Sequence, residues 1–147
     1  MHIEQHKWYS PSMYRDMELK IYGHFGKPLI IFPTQGGSFH EAEDYQMIDV
    51  LRRFINEGRI KVFTVDSIDN DAWANEGAAV HDRGNRYEQY NRYIMNEVVP
   101  FIRNHCNDHE IKIALNGSPS KNLLYFPFKC VIIPIKLANT SIVSSAF

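Results

Sequence analysis

Pro28-Leu29-Ile30-Ile31-Phe32-Pro33 is an unbroken apolar run closed at each end by proline. A central strand buried on both faces reads this way, since neither side of the pleat meets water. Thr34-Gln35-Gly36-Gly37 follows as a loop. Ser38 and Glu41 then have capping-box spacing, so a helix is expected to start there. Met47, Ile48, Leu51, Phe54 and Ile55 give that helix an apolar stripe, and Gly58 ends it. The pattern repeats with Ile60-Lys61-Val62-Phe63-Thr64-Val65, a second buried strand that ends at Asp66-Ser67-Ile68-Asp69. A polar loop is predicted through Asp71, Trp73, Asn75 and His81 to Gly84. Tyr87, Tyr90, Ile94, Val98, Phe101 and Ile102 mark a long amphipathic helix that Pro100 is expected to kink. Ile111 to Ala114 opens a third central strand. Alternation of this kind requires parallel pairing through right-handed crossovers.

A hairpin precedes this core. His6-Lys7-Trp8-Tyr9 and Tyr14 to Tyr22 flank the turn Ser10-Pro11-Ser12, with Met17, Leu19 and Ile21 alternating on one face. The fold class is therefore α/β: a mostly parallel sheet with an antiparallel N-terminal hairpin at its edge.

The 147 residues suffice for a single buried core. A formal net charge of -1 offers no basic excess for nucleic acid. No apolar stretch approaches a membrane span, and Met1 to Lys7 has no apolar leader segment. Cys106 and Cys130 are too few for a disulfide framework, so a reducing cytoplasmic setting is expected.

The pattern changes after Ser120. Residues 121–147 carry Lys121, Lys129 and Lys136 but no acid, whereas residues 1–120 hold all 17 carboxylates. Val131-Ile132-Ile133-Pro134-Ile135 is strand-like but interrupted by proline. No amphipathic crossover helix is legible here. Two readings stand: an atypical native ending, or sequence translated out of frame. The second is favoured because local pattern normally agrees with global fold. The chain thus divides at 1–120 and 121–147.

Taken together, several of these segments resemble the esterase family of α/β-hydrolases that includes esterase D (S-formylglutathione hydrolase) and the mycolyltransferases. The resemblance covers about residues 6–117. It rests on Tyr9-Ser10-Pro11-Ser12 with Arg15-Asp16-Met17, and on Phe32-Pro33-Thr34-Gln35-Gly36-Gly37. The third element is Tyr87-Glu88-Gln89-Tyr90 leading to Asn96-Glu97-Val98-Val99-Pro100-Phe101-Ile102. It implies an incomplete α/β-hydrolase sheet and serine acyl transfer on a small-molecule ester, with no cofactor. In that chemistry a serine on a strained turn attacks, a histidine relays its proton, and an acid orients the histidine. By resemblance, Gln35 would donate an oxyanion-hole N–H, and Gly36 would let the chain approach the substrate.

The nucleophile does not carry over. If Gly117 opens the Gly-x-Ser-x-Gly turn, Pro119 stands at the serine position and Lys121 at the closing glycine; Ser118 and Ser120 are neighbouring hydroxyls without both glycines. The acid and histidine would lie downstream, where no Asp, Glu or His occurs. The chain is therefore expected to be inactive as written.

Other readings are weaker. Gly36-Gly37 before a helix could cradle a phosphate, as in a flavodoxin-like flavin module with Trp73 stacked on the ring. His105 and His109 have zinc spacing around Cys106, but Asn104, Asn107 and Asp108 mark a helix end, so no metal is expected. His40, Glu41, Glu43 and Asp44 read as an acidic first helical turn. Asp66 and Asp69 read as solvated loop residues at a strand end, and His81-Asp82-Arg83 as polar loop. A sheet ending at Ile111–Ala114 would leave an uncovered edge open to self-association.

Overall fold

The computed structural model describes residues 1–34, 36–68, 77, 79–116 and 131–132. The N-terminal hairpin pairs β1 (Ile3–Ser10) with β2 (Arg15–Tyr22) over its full length, Ile3 opposite Tyr22 and Ser10 opposite Arg15. Alternation does the work here: Met17, Leu19 and Ile21 are buried, while β1 presents Glu4, His6 and Trp8 half-buried on the same face. Tyr14 closes the turn with its N–H on the Ser10 carbonyl at 2.8 Å and takes φ +56°.

The two apolar runs are β3 (Lys27–Ile31) and β4 (Ile60–Val65), adjacent and parallel, with every residue of β4 buried. Between them lie α1 (Glu41–Asp44) and α2 (Met47–Asn56). They are separate because Gln46 sits at φ +58° between them. The stripe of α2 buries Ile48, Leu51 and Ile55 against Tyr22, Leu29, Ile31 and Val62. The capping box does not form. The Ser38 hydroxyl accepts only a 3.4 Å contact from the His40 N–H, and Glu41 turns its carboxylate elsewhere.

The second crossover is α3 (Val80–Tyr93), a π-helical turn (Ile94–Val98) and α4 (Val99–His105) in unbroken succession. His81 to Gly84, expected in a loop, instead form the start of α3, with the Asp82 and Arg83 N–H groups on the Ala79 carbonyl. Where a kink is expected at Pro100, the helix has a wider π turn that ends two residues before the proline. This helix covers the opposite face of the sheet, burying Tyr90, Tyr93, Ile94, Val98 and Ile102 against Leu19, Ile30, Phe63 and Leu115.

The third parallel strand is β5 (Ala114–Asn116), paired with β3 from Leu29 to Ile31. It lies later than expected: Asn107 at φ +52° ends the helix, residues 108–110 turn, and Ile111 to Ile113 reach the sheet before laddering begins. Val131–Ile132 adds β6 parallel to β5, so the sheet does not end at Ile111–Ala114. Strand order is β1-β2-β4-β3-β5-β6. The sheet is mixed rather than mostly parallel, because β2 joins β4 antiparallel and the two antiparallel ladders hold more residue pairs than the parallel ones. The hairpin is at the edge, as expected. Among the described residues no helix is long and apolar enough to cross a membrane.

Candidate functional site

Ligands of open α/β sheets bind beyond the carboxyl ends of the parallel strands. Those ends are Ile31, Val65 and Asn116. The Phe32 N–H donates to the Asn116 carbonyl at 2.8 Å, so the loop leaving β3 starts directly beside the residue that leaves β5. Asn116 itself is buried.

The β3 loop is built around one carboxylate. The Gly37 N–H closes a four-residue turn on the Thr34 carbonyl at 3.0 Å, and Gly36, third in the turn, has φ +75°, which glycine tolerates without strain. Glu41 reaches back from α1, and its carboxylate accepts from both the Thr34 N–H and the Thr34 hydroxyl. A Cβ on Gly37 would lie 2.6 Å from that carboxylate, so the second glycine makes room for the clamp. Gln35, the expected oxyanion donor, lies outside the described residues, as do Gly117, Ser118, Pro119, Ser120 and Lys121.

Glu41 also weighs against a phosphate cradle. Its negative charge holds the donors that a phosphate would need, and a second anion there would be repelled. The flavodoxin-like reading is therefore not favoured, and Trp73, its proposed stacking partner, lies outside the described residues.

Asp66 stands at the end of β4, and it is half-buried rather than solvated. Its Oδ1 accepts from the Phe39 N–H at 3.4 Å, and its carbonyl accepts from the Tyr90 hydroxyl at 2.6 Å. Burial raises its carboxyl above the ordinary Asp value, despite the hydrogen bond from Phe39. The residue ties the loop after β3 and the helix α3 to one strand end. Asp69 lies outside the described residues. His40 is exposed with its ring against Phe39 at 3.8 Å, and Glu43 pairs with Lys20 at 2.8 Å.

Two constellations were not legible in the sequence. Glu97, in the π turn, accepts from Trp8 Nε1 at 2.9 Å, from the Ser10 hydroxyl at 2.8 Å and from the Ser12 N–H at 3.1 Å. Burial works against the ionised form, but these hydrogen bonds prevail and hold the carboxyl below the usual Glu range. Glu97 thus fastens the hairpin turn to the long helix. The second constellation joins β1 to the end of α4. Glu4 Oε2 lies 3.1 Å from His6 Nε2 and 3.2 Å from His105 Nε2, and His105 Nδ1 lies 2.8 Å from the buried Lys61 ammonium. His109 is exposed in the turn beyond α4, so the i, i+4 pair does not share a helix.

No protein-family model matches this chain, and no curated protein matches it in sequence. Solved structures share its fold. An IroE-like serine hydrolase from Shewanella oneidensis is 11% identical with a TM-score of 0.56, over 79% of this chain and 42% of that one. An S-formylglutathione hydrolase from Agrobacterium tumefaciens is 15% identical with a TM-score of 0.55, over 78% and 48%. A ferulic acid esterase is 13% identical with a TM-score of 0.52, over 79% and 49%. The chain therefore spans less than half the length of each. At these identities the likeness is one of fold: the described sheet and helices have the architecture found in part of an α/β-hydrolase.

Proposed function

We propose that this chain is the N-terminal portion of a serine carboxylic-ester hydrolase, keeping the oxyanion-side loop and lacking the nucleophile and its relay. One observation carries the reading: the clamped Thr34–Gly37 loop departs beside Asn116, the residue that would lead into the nucleophile turn. Oxyanion stabilisation needs donors from these two places within reach of one reacting carbonyl. In this reading Gln35 supplies one backbone N–H and Gly36 the close approach. Pro119 replaces the serine, and residues 121–147 supply neither acid nor histidine.

The hydrolase portion is then 1–120, and 121–147 is an atypical or frameshifted tail that contributes β6. The substrate class is a small-molecule ester acted on by a longer product in the cytoplasm. Self-association would run through the sheet edge at β6, which among the described residues pairs two residues with β5.

The test begins with the coding DNA from Lys112 onward, read in three frames for Gly-x-Ser-x-Gly and a later Asp and His. The restored long product is expected to react with a fluorophosphonate probe at one serine, and the 147-residue chain not to react. If no frame restores the motifs, truncation is excluded. Turnover of a short-chain aryl ester by the present chain, lost in Ser118→Ala or Ser120→Ala, would overturn its inactivity.

A further inference from the structure

We propose that Glu4, His6 and His105 form a binding site for a first-row divalent metal ion of the zinc class, on the edge strand β1, separated from β3 and its ester-hydrolase loop by β2 and β4, and independent of that loop. Glu4 and His6 are two apart on an edge strand, so their side chains share the face on which α4 ends. His6 Nε2 and His105 Nε2 approach the same oxygen, Glu4 Oε2, at 3.1 and 3.2 Å, and all three atoms lie within 4.8 Å of one another. A tetrahedral ion with bonds of about 2.0–2.1 Å holds its ligand atoms about 3.3 Å apart. Two edges of that tetrahedron are therefore present to within a few tenths of an ångström. The third closes by small rotations of side chains.

The rings are held in converging orientations. His6 meets Phe101 edge-on at 5.1 Å, His105 lies 5.8 Å from the same ring, and the two imidazoles cross at 84°. His2 Nε2 takes the other Glu4 oxygen at 2.7 Å, which orients the carboxylate from behind. All three ligands are half-buried, leaving a path for the ion and for water as a fourth ligand. Two imidazoles and one carboxylate suit zinc and its neighbours. Magnesium and calcium, which take oxygen shells, are disfavoured.

Lys61 sets the affinity. With no ion, its ammonium donates to His105 Nδ1, and His105 Nε2–H donates to Glu4. An ion on Nε2 requires the other neutral tautomer: the Nε2 proton leaves to solvent and Nδ1 takes up one, so that an N–H then faces Lys61. The lysine must then turn into the adjoining cavity of about 630 Å³, which Lys61 and His105 both line. Lys61→Gln, whose carbonyl can accept from Nδ1–H, is expected to tighten binding.

Titration of the full chain with Co²⁺ is expected to give the visible absorption of a tetrahedral site at one equivalent, displaced by Zn²⁺. In the unmodified chain, imidazole ¹⁵N resonances of His6 and His105 should move on Zn²⁺ addition, and those of His24, His40, His81 and His109 should not. His6→Ala and Glu4→Gln should weaken Zn²⁺ about tenfold or more. Absence of Zn²⁺ binding, shifts at the other histidines instead, or undiminished affinity in both variants would overturn the site. The ¹⁵N measurement decides the matter even where a variant misfolds.

Discussion

Glu97 is the residue on which the hairpin hangs. Its carboxylate takes three donors from the strand β1 and the turn that follows. Hydrogen bonds to a charged acceptor contribute about 1.5–3 kcal/mol, so Glu97→Gln is expected to lower the urea-derived stability by that order at pH 7. Folding holds this carboxyl below its unfolded value. Its contribution is therefore fully present above the unfolded Glu value of about 4.3 and is lost as pH falls through the lower folded one. The acid limb of the stability curve should flatten in the variant; an unchanged limb would assign it to other carboxylates. Tyr93 is the opposite case. It is fully buried, and its hydroxyl has no hydrogen-bond partner among the described residues. Tyr93→Phe removes that unpaired group and is expected to raise stability by up to about 1 kcal/mol, read from the same denaturation curves. Neither role is legible from sequence. The three donors to Glu97 lie 85 or more residues away along the chain, and the hydropathy pattern does not register such distances.

At the scale of elements, two glycines with the same lack of side chain should answer substitution in opposite directions. Gly26, between β2 and β3, has φ +117°, and a Cβ there would lie 2.5 Å from the backbone of Arg59 and Ile60. Backbone cannot swing aside as a side chain can, so Gly26→Ala is expected to cost about 2–3 kcal/mol. Gly84 lies inside α3 with nothing within 4 Å of a Cβ, so Gly84→Ala should add about 0.5–1 kcal/mol. Equal effects in chemical denaturation would contradict both assignments. The elements themselves are largely readable, because continuous apolar runs give β3 and β4 and the six-residue stripe from Tyr87 to Ile102 gives the long helix. Boundaries are less so. Gly84 and the polar residues around it resemble a loop because their helical turn faces water and carries no stripe. Ile113 belongs to the core without belonging to the ladder, which displaced β5 in the reading.

For the whole molecule, the sheet carries two apolar layers, one beneath α2 and one beneath the long helix. β4 lies between β2 and β3, paired on both sides, whereas among the described residues β5 has three and its outer partner β6 has two. Native-state hydrogen exchange is expected to show β3 and β4 amides opening only with global unfolding, and β5 amides opening at lower free energy. Equal protection would mean that β5 is buttressed as firmly as the centre. The α/β class and the edge hairpin follow from pattern alone, but the balance of parallel and antiparallel pairing does not. Hydropathy records which faces are buried and leaves open which neighbour each strand adopts. The same limit hid the meeting of Glu4, His6 and His105, which depends on how far the long helix runs before it ends.

The π turn fixes that endpoint. Tyr90, Ile94, Val98 and Ile102 are all buried, at a constant interval of four. An α-helix advances about 100° per residue, so each step of four overshoots a full circle by about 40°, and three steps would carry the stripe about 120° around the axis. The wider turn between Ile94 and Val98 absorbs this drift and acts as a phase corrector for the helix. Winding Ile94–Val98 as regular α-helix with no residue removed would rotate everything after it by about 120°. His105 would then swing away from Glu4 and Lys61, although none of the three residues had been altered.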